Sequence, residues 1–226
     1  MRPEPVDPPY QFDAYGSTRW RVPHESLLPM PDAIRSLRAP VYGNGNVSAQ
    51  DADLTRQHAG VPQGERIIVA GRLVDEHGRP IPSVLIEVWQ ANAAGRYAHK
   101  GDQHNAPLDS NFSGNGRVRT DVNGNYRFVT VKPGAYPWRN HANAWRPAHI
   151  HFSLFGLGHL SRLITQMYFP GDPLLPHDPI FNSVPTEKGR EALISRFDLA
   201  LTEPEHALGY RFDIVLRGAG ATPMGK

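Results

Sequence analysis

Beyond residue 64 the chain settles into short runs of Val, Ile and aromatic residues, several of them alternating with polar ones, and clusters of turn-forming residues cut each run off. That two-residue rhythm marks half-buried strands. The first run, residues 66–74, leads through Asp75-Glu76-His77-Gly78 into a second, residues 83–90, and the two read as a hairpin or meander. Residues 118–120 and 125–131 flank Asn123-Gly124, a pair that tolerates positive φ and favours a tight turn. Residues 148–155, 160–169 and 210–216 supply three further strands. Only residues 186–201 read as a helix, with Leu193, Ile194, Phe197 and Leu201 at helical spacing. Six or seven strands and one late helix predict an all-β fold, a β-sandwich with long loops.

Residues 1–64 show no such rhythm. Pro, Gly and polar residues dominate, with breakers at PPY, RVP, LPMP and YGNGN. They predict an extended arm that packs over the core or against another chain, followed by one domain over 65–226. Composition agrees: 21 glycines and 22 prolines in 226 residues exceed the roughly 12% that an average protein devotes to the two together. With 39% hydrophobic and 20% charged residues the chain can build one sizeable core. The formal charge of +2 does not favour nucleic acid as a partner. No apolar leader opens the sequence, and no run approaches the ~18 apolar residues of a membrane span, so a soluble, cytoplasmic protein is expected.

Cysteine is absent, so any metal must be held by nitrogen and oxygen. The segment Trp145-Arg146-Pro147-Ala148-His149-Ile150-His151-Phe152 offers the nitrogen. In a strand His149 and His151 project to one side, with Cα atoms about 7 Å apart, while Ile150 and Phe152 face the other way. Two imidazoles so placed can chelate one ion, or can be a solvated pair on an open face. No Asp or Glu stands between His151 and Asp172, so a cupin-like carboxylate or the third member of a two-His, one-carboxylate site is missing locally. Tyr97 and Tyr136, both in loop sequences, are the remaining oxygen candidates. A phenol with pKa near 10 ligates at neutral pH only to a strongly polarising cation; otherwise each tyrosine is a packing residue. Arg146 is a surface ion-pair partner or, beside a metal, a permanent positive charge. Gln166 has a polar structural reading too, and Trp89, Trp138 and Ile180 read equally as core, which is preferred for Trp89.

The strings GERIIVAGRLVDEHGRPIPSVLIEVWQANAAGRYAHK, TDVNGNYRFVTVKPGAYPWRN, WRPAHIHFSLFG and LITQMYFPGDPL, in this order, resemble the intradiol ring-cleaving dioxygenases, and among them the protocatechuate branch. The similarity runs from about Gly64 to Arg217, with weaker matches in the arm. It implies a mixed β-sandwich and a non-haem Fe³⁺ held by Tyr97, Tyr136, His149 and His151, with hydroxide completing the shell. Tyr136 and His149 would be the axial pair, Tyr97 and His151 equatorial. The resemblance further implies an electrostatic role for Arg146, a positioning role for Gln166, and a substrate pocket walled by Trp138 and Ile180. Asp13-Ala14-Tyr15 resembles a segment whose tyrosine meets the substrate carboxylate. The expected reaction takes protocatechuate and O₂ to 3-carboxy-cis,cis-muconate in aromatic catabolism (the β-ketoadipate pathway). The expected partner is an α subunit in a hetero-oligomer, since the proline-broken arm fits this branch and not the one with a helical dimerisation domain. Two rivals remain: a non-catalytic transthyretin-like β-sandwich module, which the strand and turn chemistry also resembles, and a dioxygenase acting on hydroxyquinol or another catechol.

Overall fold

Of the nine residues in β1 (Arg66–Val74) only Arg72 is exposed, so both faces are covered and the strand belongs in the middle of a sheet. The computed structural model, which describes residues 6–28, 47–155 and 162–225, puts it there. Along one side β4 (Asn125–Val131) runs antiparallel, from Arg66 opposite Val131 to Arg72 opposite Asn125. Along the other, β10 (Leu208–Arg211) and then β11 (Ile214–Val215) run parallel to it, and β9 (Arg196–Phe197) closes the sheet antiparallel to β10. The second sheet is antiparallel throughout, in the order β3 (Asn115–Arg119), β2 (Leu85–Trp89), β7 (His149–Phe155), β8 (Leu163–Tyr168). A two-residue ladder joins β5 (Tyr136–Pro137) to β6 (Trp145–Arg146).

The facing sides of the two sheets make the core. Ile67, Val69 and Leu73 of β1 and Tyr126 and Phe128 of β4 meet Ile86 and Val88 of β2 and Ile150, Phe152 and Leu154 of β7. Phe152, fully buried, lies edge-on or tilted against Tyr126, Phe128 and Phe212, with centroids 5.2–6.0 Å away. The mixed β-sandwich expected from the sequence is the fold observed.

Three local expectations change. Residues 66–74 and 83–90 are not a hairpin. Their turn forms, with the Asp75 carboxylate accepting from the backbone N–H of His77 and Arg79. After Ile81 N–H has bonded to the Leu73 carbonyl, however, the chain crosses, and β1 and β2 lie in opposite sheets. Asn123-Gly124 likewise makes its tight turn, Gly124 at φ +77°, but carries the chain from β3 in one sheet to β4 in the other. Alternation identifies a strand, not its neighbour.

The predicted helix over 186–201 shrinks to Glu187–Glu191, preceded by a second short helix, Pro179–Asn182, here α1, so that Glu187–Glu191 is α2. The Thr186 side chain caps α2 by accepting from Gly189 N–H. Helix then yields to sheet, because Tyr168 at the end of β8 takes residues 193–195 as a partner: its N–H donates to the Leu193 carbonyl and its carbonyl accepts from Ser195 N–H. Phe197 of the supposed helical stripe is 50% exposed.

Among the described arm residues, a 3₁₀ turn spans Gly16–Trp20, and Asp7 accepts from the Met224 N–H of the C-terminal tail. The breaker YGNGN, most of LPMP, and the predicted strand start at residues 160–161 lie outside the described residues. No helix among the described residues is long and apolar enough to cross a membrane.

Phe152→Ala removes the ring that the two sheets share, and should lower unfolding free energy by about 3–5 kcal/mol, read from urea denaturation.

Candidate metal centre

Lying between β2 and β8, β7 sets the register of the site. His151 stands opposite Trp89 on one side and Gln166 on the other, and His149 stands opposite Tyr168. Because Ile150, Phe152 and Leu154 point into the core, alternation turns both histidines to the outer face, their rings 4.8 Å apart. Trp89 is not core. It stacks parallel to His151 at 4.7 Å, a platform that fixes the imidazole plane.

Two loops bring the phenols over this face. After β2 the chain turns sharply: Asn92 N–H donates to the Arg96 carbonyl, and the Asn92 side-chain oxygen accepts from the N–H groups of Ala94 and Arg96. Gly95 sits at φ +79°, and a Cβ there would collide with the Ala135 carbonyl. Gly134 N–H in turn donates to the Asn92 carbonyl, so the loop carrying Tyr97 and the loop carrying Tyr136 are locked backbone to backbone. Tyr136 then enters β5, paired with Arg146 of β6. The outcome is a cluster of four rings. Tyr97 and Tyr136 have centroids 5.4 Å apart, Tyr136 and His149 5.5 Å, and Tyr97 and His151 6.4 Å. Tyr136 Oη lies 3.4 Å from His149 Nε2.

The protonation states suit ligation. His149 Nδ1 donates to the Pro147 carbonyl at 2.7 Å, which leaves the Nε2 lone pair facing Tyr136. Burial, then the positive charge of Arg146, then His151 hold the His149 pKa well below its ordinary value. Burial and Arg146 bring His151 down to about 3. Both imidazoles are therefore neutral donors at neutral pH. Burial and the neighbouring Tyr136 push the Tyr97 phenol well above its ordinary value, and its hydroxyl is buried without a hydrogen-bond partner. An orphaned buried phenol is costly unless something takes its oxygen. Among the described residues no group of three or more His, Cys, Asp or Glu could hold a metal, so a cation here depends on the phenols. Two neutral nitrogens with two hard oxygens, one unpartnered, fit a highly charged non-haem metal.

Arg146 closes the inner side of the cluster. It is 3% exposed and donates through Nη1 to His149 Nε2 at 3.3 Å, and through Nη2 to Gln166 Oε1 at 2.8 Å and the Tyr168 hydroxyl at 3.0 Å. Asp178, fully buried, grips it from below with both oxygens, at 3.3 and 2.8 Å. Burial alone would depress the guanidinium pKa, but Tyr168, Asp178 and Tyr136 outweigh it and hold it above its ordinary value. Asp178 also caps α1 by accepting from the N–H of Ile180, which is itself buried. Trp138 lies 5.6 Å from the Arg146 guanidinium, and Tyr15 lies 5.4 Å from Trp138, so arm, wall and cluster form one contiguous line. An open cleft of about 530 Å³ adjoins Trp138, lined by residues 101–105 and 137–139.

Asp178 and Tyr168 escaped the sequence reading. Asp178-Pro179 is a helix-start signal, which accounts for the cap, but nothing in it points to an arginine 32 positions away.

The sandwich carries an imidazole pair on one strand face with two loop-borne phenols beside it, and the dioxygenase family model matches residues 37–218. The chain belongs to the intradiol ring-cleaving dioxygenase family. It is 59% identical to the protocatechuate 3,4-dioxygenase beta chain of Burkholderia cepacia, over 97% of this chain and 94% of that one. It is 34% identical to the alpha chain of the Pseudomonas putida enzyme, over 70% and 75%. The solved 3-chlorocatechol 1,2-dioxygenase of Rhodococcus opacus 1CP shares the fold with a TM-score of 0.58 at 24% identity, covering 75% of this chain and 65% of that one.

Gly95→Ala should misplace both phenols, since left-handed backbone costs a side-chain residue about 1–2 kcal/mol and the Ala135 carbonyl leaves no room. Its bound metal should fall severalfold by elemental analysis while far-ultraviolet circular dichroism is unchanged. Metal uptake should also release protons, because Tyr97 is protonated without a cation. In weakly buffered solution at pH 7, Tyr97→Phe should lower the proton yield per metal bound by about one.

Proposed function

We propose that this chain is the iron-bearing subunit of a protocatechuate 3,4-dioxygenase: it cleaves 3,4-dihydroxybenzoate between its two hydroxylated carbons with O₂, giving 3-carboxy-cis,cis-muconate. Both oxygen atoms enter the product, so no external reductant is consumed. The observation that carries this reading is the convergence of Tyr97, Tyr136, His149 and His151, with the Tyr97 hydroxyl buried and unpartnered. The 59% identity to a protein of that name supports the choice of substrate, and the separately named alpha chains support a hetero-oligomer with an α subunit.

The four residues would hold Fe³⁺, which, when bound, activates a chelated catecholate toward O₂. The rest falls to the chain itself. Tyr136 Oη, at the edge of the cluster beside His149 Nε2, would be a phenolate while it holds the metal; it would take one of the two catechol protons and the hydroxide that completes the shell would take the other, so two negative charges are neutralised as the dianion brings two. Arg146 cannot lose its charge and is fixed by Asp178, so it stabilises developing oxyanion without acting as a competing acid. The Oε1 of Gln166 is occupied by Arg146 and Tyr168, which leaves the NH₂ end to donate to an intermediate. Trp138 and Ile180 form apolar walls for the ring, and Tyr15 meets its carboxylate.

Oxygen uptake with protocatechuate, alongside iron analysis and a visible spectrum, tests the proposal. Expected are one O₂ per substrate, about one iron per chain and a phenolate-to-Fe³⁺ charge-transfer band; a colourless, iron-free yet active protein would refute the ligand set. Arg146→Ser should cut turnover more than iron content, and the reverse result would make Arg146 structural.

A further inference from the structure

The backbone on either side of the arm residue Tyr15 is bonded to one core side chain, Asn140. Asn140, just beyond the Trp138 wall, accepts from Gly16 N–H at 2.9 Å through its Oδ1 and donates to the Ala14 carbonyl at 2.7 Å through its Nδ2. The two bonds bracket Tyr15 on both sides along the backbone, so one amide reads the arm as a strand partner would. With donor and acceptor both engaged, the amide has one orientation that satisfies both bonds. A local turn stiffens the bracket: the Thr18 hydroxyl, with Thr18 buried, accepts from Phe12 N–H and donates to the Tyr15 carbonyl. The Tyr15 ring lies 5.4 Å from the Trp138 ring, and the Arg21 guanidinium sits 4.8 Å from its centroid. The phenol thus touches both the Trp138 wall and a positive charge.

We propose that Asn140 is a positioning residue for substrate selection: by clamping residues 14–16 against the core it holds Tyr15 at the rim, and so confers preference for a carboxylated catechol over catechol itself. This rests on the functional reading above, in which Tyr15 meets the carboxylate. The physical argument is one of entropy and placement. Asn140 bonds the backbone on both sides of Tyr15, and without it the tyrosine would lose its freedom only when substrate binds, at a cost that catechol, having no carboxylate, never incurs. The clamp removes that cost in advance for the substrate that uses Tyr15.

The test is a double-mutant cycle on the holoenzyme with its partner chain. Asn140→Ala should raise KM for protocatechuate by about tenfold, the scale of one misplaced charge-assisted hydrogen bond. Its kcat/KM for catechol, its iron content and its visible band should stay at the wild-type level. Tyr15→Phe should reproduce the same selectivity loss, and the double variant should be no worse than Tyr15→Phe alone, because Asn140 acts through Tyr15. Limited trypsin digestion should cut after Arg19 and Arg21 faster in Asn140→Ala than in wild type. Equal losses on both substrates, or additive effects in the double variant, would overturn the proposal, as would an unchanged digestion rate. A wild-type enzyme inactive on protocatechuate would instead strike the functional reading, and shows separately as an absence of oxygen uptake.

Discussion

Everything at the candidate centre depends on the register of one strand. β7 is held on both sides, by β2 and by β8, and its inner residues Ile150, Phe152 and Leu154 are buried in the core. A slip of one residue would drive His149 and His151 into that core and put three large apolar side chains where the histidines now stand. The burial that stabilises the sandwich is therefore the same force that aims the imidazoles. The paired strands then add the neighbours: Trp89 to stack on His151, Gln166 beside it, Tyr168 beside His149.

Around this strand the buried charges are few and matched. One permanent cation, Arg146, is paired with one fully buried carboxylate, Asp178, and breaking such a pair costs about 3–5 kcal/mol because the survivor is stranded. Burial, with the same guanidinium as the second cause, keeps the imidazoles neutral. Tyr97, the buried phenol, is protonated until a cation draws its proton away. Asp178 couples two parts of the pocket, since it orients Arg146 with one set of bonds and starts the helix bearing Ile180 with another.

The tyrosines reach the cluster by different means. Neither main sheet aims them; two loops do, locked to each other where Gly95 meets Ala135 and where Gly134 bonds to Asn92, with Tyr136 then held in the short β5–β6 ladder. The arm packs against Trp138 and is bonded through Asn140. Strand geometry thus supplies the rigid nitrogens, and loop geometry supplies the phenols.

Local patterning was enough to read β1 and β4 to the residue, because each has turn residues at its ends and apolar residues between. It also sufficed for the one-sided pair His149 and His151, since alternation is a property of the backbone alone. Tyr97 and Tyr136 stood out as the remaining oxygen candidates, and four separated motifs carried the family and, with it, their expected role as ligands. The sheet to which each strand belongs lay beyond reach, because β1 and β2, or β3 and β4, are adjacent in sequence and share no ladder. So did the end of α2, where hydrogen bonds to Tyr168 overrode helical spacing. Asp178 beneath Arg146, Trp89 over His151 and Asn140 on the arm were likewise decided only by the tertiary fold. Each acts through a partner brought near by packing and not by spacing along the chain, and a sequence records the side chain but not what the fold will set against it.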